Sequence, residues 1–221
     1  MLRSFVAAAL VAVVLSSCAA APQSLGGDPT SAPLRELTPD VAVACVEDGE
    51  IVDDSAAVSA SEANAMPDQD FWGYIDILEG GVTETGLERL TDALVEKGID
   101  AVLAFDVRLA LSLYDLDSAC RAEWYRLNEP AQLGFVSDDT FLYARADTVA
   151  AGQAVWQEAV DSNTLPWGES DPSTGMGELL LYVGLDAAEQ LDVPVEEYFD
   201  QLFALLAISF ETGSNPNGWP Q

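Results

Sequence analysis

The sequence contains no histidine and a single lysine, Lys97. Without an imidazole there is no Ser-His-Asp triad, no Cys-His pair, no histidine metal site and no imidazole acid–base chemistry. An enzyme built from this chain has carboxylates, hydroxyls, thiols, tyrosine and arginine to work with. Basic residues are scarce altogether: 8 Lys plus Arg stand against 38 Asp plus Glu, for a net charge of −30. Clustered Lys and Arg are what hold a phosphate backbone, so a nucleic-acid partner is excluded. The acidic excess suits a well-solvated surface, above all in salty surroundings, or the attraction of cations or a basic partner. Metal-ligand spacings are missing too, including any EF-hand loop, and neither a metal nor a cofactor is expected.

What is present begins with an address. Arg3 precedes an apolar run, Phe5 to Leu15, too short to span a bilayer as a permanent helix. Leu15-Ser16-Ser17-Cys18 follows, an aliphatic residue and two small ones before a cysteine. This resembles the lipobox of bacterial lipoprotein precursors, which implies cleavage after Ser17 and diacylglycerol on the Cys18 thiol. The rival reading is an ordinary secretory cut near Ala19 to Ala21. Several acyl chains at about 0.8 kcal/mol per buried CH₂ make a firm anchor. The resemblance then places the mature chain in the cell envelope, facing the periplasm or exterior, with the membrane as its first partner. Ala19, where inner-membrane lipoproteins often carry aspartate, favours the outer membrane.

Residues 18–40 are rich in Ala, Pro, Gly and Ser and read as a flexible tether behind the leader, 1–17. Residues 41–67 form an amino-terminal extension. Val41 to Val46 and Glu50 to Val52 flank Gly49 as in a short β-hairpin, and 53–67 is a loop or frayed helix. Residues 68–210 carry helical signals throughout, and 211–221 reads as a frayed tail. The expected fold is mostly α, one bundle-like domain of about six to eight helices. Asp68 caps a helix with Phe71, Trp72, Ile75 and Leu78 on one face. Thr85 and Glu88 make a capping box for the next. Asp100 opens a third, with a stripe of Val102, Phe105, Leu109 and Leu113, and Asp117 a fourth. Residues 161–175 form a long loop, and Glu178 to Leu191 and Pro194 to Phe210 are two further helices.

The stretch Ser137 to Gly152 is the most informative. Ser137 or Asp138 serves as N-cap, Asp138 and Asp139 suit the positive helix end, and Gly152 is a natural stop before an extension through Trp156. Phe141, Arg145 and Thr148 share one face, which puts the guanidinium at a core margin in need of a carboxylate or several carbonyls. A structural ion pair and an anion-binding arginine are both open on this pattern.

Laid out in order, these pieces resemble the family called domain of unknown function 4240. The residues that carry the likeness are Phe71-Trp72-Gly73-Tyr74-Ile75, the helix around Phe105-Asp106, and Ser137-Asp138-Asp139 with Phe141, Arg145 and Gly152. Glu178 to Gly184 with Tyr182 completes it. It spans about residues 68–200 and implies a mostly helical domain of no assigned activity. Asp147 stands where members commonly have tryptophan.

Asp138, Asp139 and Glu178 are the candidate catalytic acids, and Arg145, Asp70, Asp106 and Trp167 the candidate binding residues. Paired carboxylates suit acid–base hydrolysis; the alternative is that Asp138 and Asp139 cap a helix while Asp70, Asp106 or Glu178 pairs with Arg145. With Cys18 acylated, Cys45 and Cys120 are left as a disulfide pair outside the cytoplasm or as two buried thiols. The favoured reading is a non-catalytic domain that binds a protein partner or a small ligand. A histidine-free hydrolase and a structural spacer are the rivals.

Overall fold

The computed structural model describes residues 52–128, 136–166 and 176–219. Ten α-helices occur among them: α1 Ser55–Glu62, α2 Asp68–Ile75, α3 Glu84–Val95, α4 Ile99–Asp115, α5 Ala119–Asn128, α6 Asp138–Ala150, α7 Gln153–Ser162, α8 Gly177–Leu180, α9 Val183–Gln190 and α10 Val195–Leu205. A 3₁₀ turn, Asp76–Leu78, follows α2, and the described residues contain no strand. The expected hairpin lies outside the described residues.

Helix α4 is the hub. It packs against α1, α2, α3, α6, α9 and α10. Its residues from Val102 to Tyr114 are buried almost without interruption, because apolar side chains occupy every side of the helix. Phe105, fully buried, meets Phe71 at 5.2 Å and Tyr74 at 6.2 Å between ring centroids. Burial of one such ring is worth about 2–3 kcal/mol. Helix α6 lies alongside, buried from Phe141 to Ala150 apart from Tyr143.

Local signals decide several boundaries, and some differ from the sequence reading. Ser137 caps α6 by accepting the Thr140 N–H at 3.1 Å. The cap of α3 is Thr83, not Thr85: its hydroxyl accepts the Gly86 N–H at 3.0 Å. Asp68 is the first residue of α2 rather than its cap, and Pro67 precedes it. Gly152, with φ of 102°, ends α6 and starts α7, so the helix does not continue through Trp156. Instead Trp156 returns from α7 to donate its indole N–H to Ser112 O at 3.0 Å. Glu178 to Leu191 is two helices, broken at Leu181 and Tyr182.

The carboxy-terminal segment is not frayed over its described part. Gly213 N, Asn215 N and the Trp219 indole N–H all donate to the Asp117 carboxylate, at 3.1, 2.9 and 2.9 Å. Asp117 therefore anchors the tail between α4 and α5 instead of capping a helix.

Candidate functional site

Arg145 has no solvent exposure. Its Nη1 donates to Leu113 O at 3.0 Å and lies 3.6 Å from Asp117 Oδ1; its Nη2 donates to Thr212 Oγ1 at 3.2 Å. The guanidinium also sits 4.9 Å from the centroid of the Phe141 ring. Burial pushes its pKa down to about 10, with Asp117 and then Glu211 opposing the shift, so it is charged at neutral pH. Its carboxylate partner is thus Asp117, not Asp70, Asp106 or Glu178. A side chain sealed in this way cannot meet an anion from solvent, which corrects its place among the binding residues and removes it from any hydrolytic site.

The expected acids separate. Asp70 is exposed on α2 and lines a shallow depression with Lys97 and Asp100. Asp138 is exposed in the first turn of α6, and its carbonyl accepts from Thr212 Oγ1 at 2.8 Å. Asp139 and Asp106 both line a cleft of about 590 Å³ bounded by α4, α6, α9, α10 and the segment after α10. Glu178 stands beside it, accepting a long hydrogen bond of 3.4 Å from Tyr182, which lines the cleft. Trp167 lies outside the described residues.

Asp106 is nine-tenths buried and accepts a short hydrogen bond from Tyr198 Oη, which joins α4 to α10. Burial raises its pKa to about 7, and the Tyr198 hydrogen bond offsets part of the shift. Gly184 makes room for this carboxyl: a Cβ there would stand 1.8 Å from Asp106 Oδ2. In the same cleft, burial together with the negative charges of Glu178 and Asp139 raises Tyr143 to about 12, so its phenol is neutral.

The sequence reading missed the aromatic wall. Phe199 and Phe203 stack on α10 at 5.7 Å between centroids, and Phe203 is 65% exposed, Tyr182 45%. Their i, i+4 spacing was the available signal, but it reads equally as a core stripe. Arg121 was missed as well. It is buried and donates to Ala159 O and Val160 O, both at 2.9 Å, satisfying carbonyls in the last turn of α7.

Asp106, packed against Gly184, lies in one of the family-like segments, and the family model describing a protein of unknown function, DUF4240, matches residues 66–190. The chain belongs to the DUF4240 family. No curated protein and no solved structure matches it. Within the DUF4240 match lie Asp106, Asp139, Tyr143, Tyr182 and Gly184, while Phe199 and Phe203 fall beyond it. Among the described residues no group of three or more His, Cys, Asp or Glu is placed to hold a metal ion, and no helix is long and apolar enough to cross a membrane.

Proposed function

We propose that this DUF4240 member is a lipid-anchored envelope protein whose helical domain holds a small ligand in the cleft between α4, α6, α9 and α10. The observation that carries the reading is that exposed aromatic rings and a buried carboxyl line one cleft. Soluble proteins cover large rings unless they contact something, and a concave apolar site with a few polar groups is the usual form of a ligand pocket. The volume of about 590 Å³ suits a small molecule. The anchor rests on the Leu15-Ser16-Ser17-Cys18 pattern, with attachment at Cys18 and the outer membrane as the favoured side where one exists.

Three measurements test this. Cys18→Ser should move the protein out of the membrane fraction, and mass spectrometry should find diacylglycerol on the wild-type amino terminus. Native mass spectrometry of protein extracted in non-ionic detergent should show a small molecule that is lost with Phe203→Ala. An unacylated amino terminus defeats the anchor; an empty wild-type protein from its native membrane defeats the binding site.

A further inference from the structure

The cleft has one sign of charge. Asp106, Asp139 and Glu211 line it, and Glu178 is bound to its Tyr182. No lysine or arginine is among the described residues that line it, and the sequence contains none after Arg145. The Arg145 guanidinium, on α6, is sealed and turned to Asp117 and Leu113.

The apolar part of the cleft is equally one-sided in its chemistry. Tyr143, Tyr182 and the stacked Phe199 and Phe203 all line it. Aromatic faces carry negative electrostatic potential and attract a cation placed over them, the more so the drier the site. Nearby carboxylates add to that field and oppose an anion. Asp106, nine-tenths buried, also lines the cleft, and its Oδ2 accepts from Tyr198. A carboxylate lining such a cleft can take a positive or hydrogen-donating group.

We propose that the ligand of this cleft is a small organic cation with an apolar body, an aryl- or alkylammonium. The charged head lies between Asp106 and Asp139 against the ring faces, and the apolar body covers Leu109, Leu142 and Phe203. This rests on the cleft being a ligand site, and goes further by giving the ligand a charge.

The test uses the whole protein in non-ionic detergent and titration calorimetry with three probes of similar size: benzyltrimethylammonium, benzyl alcohol and 3-phenylpropionate. Benzyltrimethylammonium should bind one to one, at least tenfold more tightly than benzyl alcohol, and 3-phenylpropionate should not bind. Phe203→Ala should weaken the cation about tenfold and Asp139→Asn about threefold, with thermal unfolding unchanged because both side chains are exposed. Equal affinity for cation and alcohol, or a preference for the carboxylate, overturns the charge assignment and leaves the ligand site standing. Silence from all three probes also overturns it. If the protein from native membranes then carries a bound molecule, the site survives; if it carries none, both readings fall.

Discussion

Asp117 Oδ1 lies 3.6 Å from Arg145 Nη1, and neither side chain is exposed to solvent. The pair is not an isolated contact. Asp117 takes three further donors from residues 213–219, and Arg145 reaches Thr212, so one charge pair ties α4, α6 and the tail together. A buried pair of this kind adds modestly against an apolar replacement, but breaking it strands a charge. Asp117→Ala should cost about 3–5 kcal/mol in urea unfolding. Hydrogen exchange should show the amides of Gly213 and Asn215 losing protection. Arg145→Ala should cost a similar amount, and the double variant less than the sum. Additive losses would show that the two side chains act independently.

Gly184 and Asp106 are coupled by space rather than by charge. Since a Cβ at position 184 would stand 1.8 Å from Asp106 Oδ2, Gly184→Ala must push α9 away from α4 or tilt the carboxyl off Tyr198. Overpacking of this order costs about 1–3 kcal/mol. Shortening the other partner relieves it: adding Asp106→Ala to Gly184→Ala should recover more than half the loss. A double variant as unstable as the two singles combined would mean that the glycine serves the backbone of α9 instead.

Much of the helical plan was readable because it is local. The Ser137 cap, the Gly152 stop and the apolar face of α4 are each set by residues close in sequence. The burial of Arg145 followed from its sharing a face with Phe141. Its partner did not follow, because Asp117 before a helix looks like an ordinary cap, and the donors that hold it are backbone N–H groups that every residue carries. The tail read as loose for the same reason: Gly213, Asn215 and Gly218 are loop formers by composition, and their partners, the Asp117 carboxylate, Tyr114 O and the Ala119 N–H, are distant in sequence. In the cleft, Asp106, Asp139 and Glu178 were among the expected residues, while Phe199 and Phe203 looked like core. Whether an i, i+4 aromatic pair faces core or solvent depends on which neighbour covers it, and that is a tertiary fact.

Asp106 should leave a signature in the pH dependence of stability. Its carboxyl, raised to about 7 by burial, keeps its proton where the unfolded chain has already lost its own. Stability from this group is therefore whole below pH about 4, declines as pH rises from about 4 to about 7, and is level above that. The full decline is at most about 4 kcal/mol. Asp106→Asn keeps an acceptor for Tyr198 and has no proton to lose. The variant should gain on the wild type across that window, and the gap should stop widening above pH about 7. Urea unfolding of both proteins at several pH values checks this, and parallel profiles would show that the carboxyl ionises normally in the fold.

Cys120, buried in α5, is disulfide-bonded. The chain has two other cysteines, Cys18 and Cys45, and both lie outside the described residues. If Cys18 carries lipid as proposed, its thiol is blocked and Cys45 is the partner. Peptide mapping without reductant should then join the peptide holding Cys45 to the one holding Cys120, and Cys18 should be recovered acylated. Because the bond closes a long loop, reduction should lower stability by about 4 kcal/mol on the chain-entropy account. Cys45→Ser should reproduce that loss with no reductant present. A map that joins Cys120 to Cys18 would defeat the pairing and the lipid anchor together, since one sulfur cannot hold both a thioether and a disulfide.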